Sequence, residues 1–522
     1  MKLLPLLLLL ALPAVVQAQF TFTTNNGAIT ITGYNGTGGV VVIPSATNGY
    51  PVASIGDTAF SNKVNVTIVI IPNSVTNIGV SAFRLCTSMT NVTIGSSVTN
   101  IGSFAFQSCS NLGSVQIPDS VVCMGTNIFK SCTGLTNLTI GGSVASIGSS
   151  DFEVCSKLAR VTIPDNVINI GSFAFNYCTS LTNLTIGAQV ANIDISAFAS
   201  CTKLENVSIP NSVIRLGDLA FANCYSLANV IMGTNLTSIG DYAFQACYLT
   251  NVTIPNNVTN IGREAFYGCF SLTNVAIGTS VTTIKDYAFF ACTKLIAITV
   301  DLGNPAYCSV AGVLFNKDRT TLIRYPAGKA GSYIVPDTVA IIYDFAFEQC
   351  ISLDNITIPN SVISIDSDAF AYCSGLTNVM IGNNVAYMGG YAFQDCPKLT
   401  QVYFQGNFPL SVGAYPFSDD NNVTAYYLPG TTNWSSNWLG IPTRPWLPLV
   451  QTTKANFGLQ TNQFGFNINW ASGQTVVVEA CTNLFNPVWQ PVQTNMLTGG
   501  SAYFSDPQWT NYPGRFYRLR SP

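Results

Sequence analysis

The sequence IPNSVTNIGVSAFRLC, residues 71–86, returns along most of the chain with its last cysteine at a fixed interval. Neighbouring cysteines lie 23 residues apart, except for one step of 22 and one gap of 58 that holds a period and an insertion. A phenylalanine precedes each cysteine by three residues. Self-similarity at this period predicts a solenoid whose coils bury their apolar faces against one another. The cysteines of the series are Cys86, Cys109, Cys132, Cys155, Cys178, Cys201, Cys224, Cys247, Cys269, Cys292, Cys350, Cys373 and Cys396.

A single coil can be read from GLTNLTIGGSVASIGSSDFEVC, residues 134–155. Thr139 lies between apolar residues at the two-residue spacing of a short strand, so it is expected to face outward. Phe152 and Cys155, at i and i+3, are expected to pack the inner face of a short helix. The predicted class is therefore α/β, with a parallel sheet on one face of the solenoid and short helices or turns on the other. The remaining inward residues are Leu135, Leu138, Ile140, Val144 and Ile147.

The regular cysteines are predicted to form a buried ladder of thiols. Equivalent residues in stacked coils are about 4.8 Å apart and point the same way, whereas a disulfide needs Cβ atoms about 3.5 to 4.5 Å apart and facing each other. A small buried hydrophobic group with a weak S–H donor fits this position best. Scattered disulfides remain an alternative for an exported protein. A metal site is disfavoured, because one cysteine per coil lacks the close ligand pairs of zinc sites.

The composition excludes several classes of function. Charged residues make up 9% of the 522 residues and the net charge is −3, so the chain has no electrostatic footprint for nucleic acid or an anionic membrane. It also contains no histidine, the commonest general base and metal ligand. A Ser-His-Asp or Cys-His catalytic arrangement is therefore impossible.

The N-terminus has the pattern of a signal peptide. An apolar run follows Lys2 and ends at Val16-Gln17-Ala18, whose small residues suit signal peptidase. Residues 1–18 are therefore predicted to be removed. No later apolar segment reaches about 18 residues, so we expect a soluble mature chain without a membrane span. The expected location is extracellular or on the cell surface.

The repeats LTNVTIPNNVTNIGREAFYGC, residues 249–269, and LDNITIPNSVISIDSDAFAYC, residues 353–373, resemble the BspA-like branch of the leucine-rich repeat proteins. The resemblance covers about residues 19–446. It includes an N-terminal cap at about 19–60, a hairpin insertion at about 300–335 and a closing segment at about 401–446. It implies a curved solenoid with roles in surface adhesion or protein binding, and it implies no catalytic site and no cofactor.

The composition changes after Trp446, and residues 447–522 are predicted to form a small antiparallel β domain. Short alternating runs such as residues 464–470 and 474–480 are separated by Gly, Asn and Pro turns. The segment is similar to C-terminal modules of many exported bacterial proteins, which suggests attachment or sorting. A cap that protects the last sheet edge is an equal alternative. Most of the six tryptophans lie in or near this end, so any recognition through tryptophan is expected here.

The outward residues of the strands are the candidate binding face. One interpretation is structural, because threonine suits strands and stacked Thr and Asn side chains can hydrogen-bond along the ladder. The other is an extended, uncharged surface for a broad partner, and ordering of water, as in ice binding, is a remote third. The candidate residues are Thr93, Gln116, Thr139, Thr162, Thr185, Ser208, Thr253, Thr299 and Thr357.

Paired carboxylates are the remaining candidates for chemistry. Asp366 and Asp368 are expected to precede a helix, where acids favour the helix dipole. Asp419 and Asp420, with Asn421 and Asn422, could hold calcium but lack the spacing of a dedicated loop. These pairs give no support for an enzyme.

The leading functional hypothesis is a secreted or surface-displayed binding scaffold for an extracellular protein or polysaccharide. The alternative is a structural spacer of the envelope or extracellular matrix, anchored by the C-terminal module. An outward stripe without a cluster of Tyr, Trp and Arg fits the spacer nearly as well, because such residues dominate binding energies.

Overall fold

The computed structural model describes residues 19–420, 422–452, 457–460 and 463–522. The predicted signal peptide, residues 1–18, and Asn421 lie outside the described residues. The chain forms two compact units: residues 19–318 with 325–329, and residues 319–324 with 330–522.

The first unit opens with an antiparallel pair, Phe20–Asn25 with Ala28–Tyr34. Ala28–Tyr34 then pairs in parallel with Tyr50–Ile55, which also pairs with the short strand Ala46–Thr47. The ring of Tyr34 stacks on Phe60 at 5.2 Å between centroids. The pair therefore covers the apolar end of the first coil.

Each coil contributes a first strand to what we call the strand side. In the strand Asn206–Ser208 the two outer residues are exposed and Val207 is buried, which is the alternation expected of a half-buried strand. In the first unit these strands are Gly39–Val42, Val66–Ile70, Asn91–Thr93, Ser114–Gln116, Asn137–Thr139, Arg160–Thr162, Asn183–Thr185, Asn206–Ser208, Asn229–Ile231, Asn251–Ile254, Asn274–Ile277 and Ala297–Val300.

A second strand of two residues follows in each coil, and these strands stack in parallel and in register. Asn169 pairs with Asn192, and Ile170 with Ile193. The second residue of each of these two-residue strands points into the core. The strands are Asn77–Ile78, Asn100–Ile101, Cys123–Met124, Ser146–Ile147, Asn169–Ile170, Asn192–Ile193, Arg215–Leu216, Ser238–Ile239, Asn260–Ile261 and Thr283–Ile284.

The third side, which we call the turn side, corrects the prediction of helices. It runs from the second strand through the phenylalanine and cysteine to the next first strand. Within the described residues, only two short 3-10 helices occur, Thr498–Gly500 and Trp509–Asn511, and both lie near the C-terminus. The repeats therefore form a β-solenoid, and the predicted α/β class is not confirmed.

The direction of the backbone N–H groups explains why the turn side is not helical. Ser81, Phe83 and Leu85 donate to carbonyls of the next coil at 2.7–2.9 Å, whereas the residues between them close turns within their own coil. Ser81 and Leu85 also have positive φ, 55° and 60°, which a helix does not allow. Spacing excludes a helix too, because a helix is about 10 Å wide. The phenylalanine rings on this side stack every 5.2–5.7 Å from Phe83 to Phe289.

The coils alternate between two kinds, which gives a longer period of two coils. After the first strand, one coil carries Pro and the next carries Gly. The side chain that follows the proline accepts the amide N–H of the next coil, as Asp165 does from Ala188 at 2.8 Å. A methyl group on Gly187 would overlap the carbonyl oxygen of Pro164, so the step into a Gly coil is tight. The alternating residues are Pro72, Gly95, Pro118, Gly141, Pro164, Gly187, Pro210, Gly233, Pro255 and Gly278.

The alternation weakens or interrupts the pairing of the first strands at the steps of the first unit that lead from a Gly coil to a Pro coil. The strand of Pro118's coil pairs fully with that of the following Gly coil, Ser114–Gln116 with Asn137–Thr139. Among the described strands, the next step, from Asn137–Thr139 to Arg160–Thr162, has no ladder pairing. A proline nitrogen cannot donate to the preceding coil. Where aspartate replaces proline, Asp301 donates to the carbonyl of Ile277 at 2.9 Å and the pairing continues.

The first unit ends with a hairpin, Tyr307–Val310 with Val313–Asn316. It lies within the range predicted for the insertion. The second unit repeats the coil architecture with longer first strands. These are Gly331–Ile334, Leu353–Ile358, Asn378–Ile381, Gln401–Phe404, Thr424–Tyr427 and Ile441–Pro445, and Ile441–Pro445 also pairs with Asn437–Trp438. The second strands are Thr321–Arg324, Ile341–Ile342, Ser364–Ile365, Tyr387–Met388 and Ser411–Val412.

The C-terminal part, which we call the tail, forms two antiparallel sheets around one core. One sheet contains Leu449–Gln451, Gly458–Gln460, Gln463–Asn469 and Ser501–Asp506; the other contains Thr475–Cys481, Gln490–Met496 and Phe516–Arg520. Phe466 and Phe504 from the first sheet pack with Val476 and Val478 from the second. Leu428 of the last coils belongs to the same core, so within the second unit the tail packs directly on the last coils.

Candidate binding face and thiol ladder

The predicted binding residues lie on the strand side, one per coil. Eight of the nine are exposed, and Thr357 is half-buried. In the part of the chain that the structure describes, only Thr299 among them donates a side-chain hydrogen bond, to the carbonyl of Val275 at 3.3 Å. The other side chains, all of which are hydroxyls except the amide of Gln116, have their hydrogen-bonding capacity left for a partner or water.

The asparagines two positions earlier behave differently. Asn229 donates to the side-chain oxygen of Asn206 at 2.8 Å, and Asn274 donates to Asn251 at 3.0 Å. Asn378 and Asn355 are joined in the same way at 3.0 Å. These amides hydrogen-bond to the equivalent asparagine of the neighbouring coil. This is the structural role that the sequence analysis considered for both the Asn row and the Thr row. The Asn row is therefore bonded internally where two asparagines meet in neighbouring coils, whereas the Thr row is largely open.

Shallow grooves run along the strand side of each unit. In the first unit a groove of about 410 Å³ is lined by Thr93, Gln116, Thr139, Ser96 and Pro118. In the second unit a groove of about 510 Å³ is lined by Thr357, Met380, Gln405, Pro359 and Asn360. The strands and the Pro or Gly corners form the walls. The corner residues were not predicted from the sequence, although the alternation of Pro and Gly marks their positions.

The thirteen cysteines of the regular series are all buried, and none of them forms a disulfide within the described residues. Twelve of them, from Cys86 to Cys292 and then Cys373 and Cys396, donate S–H to the carbonyl oxygen of the phenylalanine one coil earlier, at 3.0–3.4 Å. Burial raises the pKa of the Cys178 thiol to about 12, so the donor proton is retained at neutral pH. A protonated, buried thiol is a poor nucleophile and a poor metal ligand.

The predicted carboxylate pairs lie in structural contacts. Asp366 accepts a hydrogen bond from the Ser364 hydroxyl, and Asp368 lies in a turn with φ of 54°. Within residues 19–420 no helix follows them, so the expected stabilisation by a helix dipole does not apply. Burial and the neighbouring Asp344 raise the pKa of Asp368.

The second pair also makes structural contacts, and Asp419 accepts a hydrogen bond from the Ser418 hydroxyl at 3.0 Å. Asp420 is buried and accepts from the backbone N–H of Cys396 at 2.6 Å, and burial raises its pKa to about 7. Asn421, the next residue of that stretch, lies outside the described residues. No cluster of three or more Asp, Glu or Cys side chains in the described part of the chain could hold a metal ion.

Two of the six tryptophans near the C-terminal end, Trp438 and Trp470, are buried in the core, and the other four are half-buried. Trp438 packs edge-on against Phe404 and Phe417 and is 4% exposed. The indole N–H of Trp470 donates to the carbonyl of Trp446 at 2.7 Å. A run of exposed aromatic residues lies elsewhere, on the turn side between Tyr225 and Phe270. The sequence signal for that run is a departure from the hydroxyl residue that usually follows the regular cysteine.

The described residues contain no helix long and apolar enough to cross a membrane. A family profile described as a BspA type leucine rich repeat region, in six copies, matches residues 53–178, 124–249, 217–306 and 327–438. These stretches together span more than half of the chain. No curated protein matches the chain significantly.

Solved structures of bacterial leucine-rich repeat proteins are similar to this chain. A leucine-rich repeat protein from Bacteroides ovatus is 24% identical with a TM-score of 0.54, covering 78% of this chain and 93% of its own. The T. pallidum leucine-rich repeat protein is 28% identical, with a TM-score of 0.32 and coverage of 40% and 88%. The first likeness supports the fold, and the profile confirms the resemblance inferred from the repeats. The chain belongs to the BspA type of leucine-rich repeat proteins.

Proposed function

We propose that this protein is exported, remains at or outside the cell surface, and acts as a non-enzymatic scaffold that binds a protein or polysaccharide through its strand side. The observation that carries the proposal is the row of exposed side chains whose hydrogen-bonding groups are unused within the chain, set along shallow grooves. Membership of a repeat family supports a binding scaffold. Export rests on the leader predicted from the sequence.

The row offers many weak contacts at regular spacing. Thr93 and Ser208 are separated by five coil steps, and each step of a strand ladder is about 4.8 Å. A partner that is itself extended can bridge several coils. Many weak contacts on one molecule then act together, because each contact after the first forms at high effective concentration.

The proposal is tested with the full mature chain bearing Thr139→Lys and Thr162→Lys. Both side chains are exposed, so lysine is expected to leave the fold intact. The matched control carries Asn111→Lys and Tyr177→Lys, which add the same charge at exposed positions of the turn side. Binding is measured to the producer's envelope, to other cells and to immobilised polysaccharides.

We expect the natural chain to bind at least one of these surfaces and the strand-side variant to bind it at least tenfold more weakly. The control variant should bind like the natural chain. Equal binding by the strand-side variant rejects the proposed face. A natural chain that binds no surface favours the alternative function, a spacer anchored through its tail.

A further inference from the structure

The strand side of the second unit carries a row of outward side chains that differs from the threonine row of the first unit. Its six first strands pair in parallel without interruption, from Gly331–Ile334 to Ile441–Pro445. The register places one outward residue of each strand beside that of the next, so the six form a line across the sheet. These residues are Ile334, Thr357, Met380, Tyr403, Tyr426 and Arg444.

The aromatic residues of this row are half-buried and support one another. The ring of Tyr403 stacks on that of Tyr426 at 5.2 Å and contacts the ring of Trp446 at 4.6 Å between centroids. Beside them, the Sδ atom of Met380 accepts a hydrogen bond from the Gln405 side chain at 3.6 Å. Tyrosine, tryptophan and arginine dominate the binding energies of protein interfaces. The row therefore has the composition of a protein-binding surface.

Opposite charges lie at the two ends of the row. Arg444 ends it, and Asp337, three residues after Ile334 at the other end, lines the groove that runs along it. Both side chains are exposed, and among the described residues neither takes part in an ion pair or a side-chain hydrogen bond. Asp337 follows a proline, as Asp165 does, but accepts no amide N–H from the next coil. Folding therefore leaves both charges unused.

The neighbouring charges follow the same order along the coils. Asp354 is exposed on the second strand of the row, and the exposed Lys398 precedes the fourth strand, Gln401–Phe404. Lys329, which comes before the first strand, is an exception, and its amine is bonded to the carbonyl of Ala311. The free acids thus lie near the first two strands, and the free cations lie near the fourth and the sixth.

We propose that a second copy of this chain binds to this row face to face, with its coils in the reverse order. Such a twofold interface uses the same surface on both copies, which must therefore be complementary to itself. Reversal places Arg444 of each copy over the first strand of the other, where its long side chain reaches Asp337. A parallel arrangement would set Arg444 against Arg444, and like charges in contact oppose association.

The centre of the row is complementary to itself in the same arrangement. The twofold axis runs along the strands and passes between Met380 and Tyr403. Each Met380 then faces Tyr403 of the second copy, which is a favourable contact between sulfur and an aromatic ring. The dimer also covers Thr357, whereas the threonine row of the first unit remains free. The inference is therefore independent of the binding function tested at Thr139 and Thr162.

The size of the face predicts a weak dimer. Five steps of about 4.8 Å and strands of four residues give each copy a footprint of about 24 Å by 13 Å. Two such footprints remain below the area of about 1,200 Å² that stable interfaces bury. The association should therefore depend on protein concentration. It should be strongest at low salt, where exposed charges are screened least.

The test is sedimentation velocity of the full mature chain at low salt, over a hundredfold range of concentration and with a reductant that prevents disulfides through Cys123. Asp337→Arg leaves only cations at the two ends of the row, and Arg444→Asp leaves only anions. Each variant alone should be monomeric, because like charges then meet at both ends. An equimolar mixture of the two should dimerise, because every cation meets an anion. The control is Arg160→Asp, the same reversal at an exposed strand position of the first unit.

We expect the natural chain and the Arg160→Asp control to dimerise, and each single variant at the row to lose at least tenfold in affinity. Recovery in the mixture shows that both variants are folded. The chain with Thr139→Lys and Thr162→Lys should dimerise like the natural chain, which separates this result from the function proposed above. A natural chain that stays monomeric throughout, a single variant that dimerises undiminished, or a mixture that stays monomeric would overturn the proposal.

Discussion

The coils and the tail satisfy their side chains in different ways. In the coils, a residue usually contacts its own copy: Phe175 stacks on Phe152 and Phe198 at 5.2 and 5.3 Å. In the tail the partners are unlike. Glu479 binds Arg518 and Arg520 at 2.7 and 2.9 Å. The coils need few charges, because equivalent residues in neighbouring coils supply matched donors, acceptors and rings without ion pairs.

The largest expected effect comes from removing one ring of the phenylalanine stack. Phe175→Ala should lower the free energy of unfolding of the first unit by about 3 to 5 kcal/mol, because a fully buried aromatic is lost and a cavity remains. Phe466→Ala is the matched change in the tail, whose ring contacts Phe504 at 4.9 Å. Denaturant unfolding of the full chain measures both.

If the coils and the tail have separate cores, Phe175→Ala shifts the unfolding transition of the first unit and Phe466→Ala shifts that of the tail. An unchanged transition for Phe175→Ala would contradict its place in a continuous core. A Phe175→Ala variant that destabilised only the tail would contradict the assignment of the stack to the first unit.

A smaller effect on stability is expected from replacing glycine by alanine in the Gly coils, and it should depend on the space around the glycine. Gly187→Ala forces a methyl group against the carbonyl of Pro164 and is expected to cost about 1 to 3 kcal/mol, as overpacking does. Gly142→Ala is the control, since an added Cβ meets only the Asp119 carboxylate at 3.8 Å. It should change stability by less than about 0.5 kcal/mol. Equal melting temperatures for the two variants would argue against the close step into Gly coils.

The pH dependence of stability should have opposite signs in the two regions. Burial raises the pKa of Asp151 to about 7, against backbone N–H donors from Ile128 and Gly148 that favour its ionised form. A carboxyl whose pKa is raised by folding stabilises most below its unfolded pKa of about 4, and this stability declines as the pH rises to about 7. A folded pKa that lies one pH unit from the unfolded value changes the free energy of unfolding by about 1.4 kcal/mol.

In the tail, hydrogen bonds from Arg518 and Arg520 lower the pKa of Glu479. Its contribution is present above the unfolded pKa and is lost as the pH falls through the lowered pKa. Melting of the full chain between about pH 3 and pH 8, with Asp151→Asn and Glu479→Gln, tests both signs. Asp151→Asn should flatten the loss of stability above about pH 4. A first unit that becomes steadily more stable from about pH 4 to pH 7 would contradict the prediction.

The smallest expected effect concerns chemical reactivity and leaves stability unchanged. Cys123 is exposed, whereas the ladder thiols are buried and hold their protons. A thiol reagent should therefore modify Cys123 rapidly in the native protein and reach the ladder only on unfolding. Mass spectrometry of the labelled peptides identifies the sites. Rapid labelling of Cys178, or a disulfide between ladder cysteines in protein purified from its natural source, would contradict a reduced ladder.

Much of the coil could be predicted from the repeat. The spacing of apolar residues assigns Leu135, Leu138, Ile140, Val144, Ile147, Phe152 and Cys155 to the interior. All are buried except Leu138, which is half-buried. The prediction of a helix is wrong because Phe152 and Cys155 at i and i+3 suit a turn as well as a helix. The spacing of apolar residues does not tell whether N–H groups bond along the chain or to the next coil.

The candidate site was predictable only in outline. Alternation places Thr139 and its equivalents on the surface, but one sequence cannot tell which polar row is bonded internally. Asn206 and Ser208 look alike in the pattern, since the strand Asn206–Ser208 exposes both of its ends. Only coordinates show that Asn229 binds Asn206 while, among the described contacts, Ser208 makes no such bond. The binding role of the strand side stays a prediction.

The alternation of Pro and Gly coils has a consequence for how such a chain can change its length. Removal of one 23-residue repeat from the first unit would bring two coils of one kind together. If the removed repeat contained Ala188, for example, Asp165 would lose the backbone N–H from which it accepts a hydrogen bond. Removal of two successive repeats would leave every remaining coil with the same kind of neighbour as before. Recombination between repeats should therefore be tolerated best in steps of two, so that this array grows and shrinks by pairs of coils.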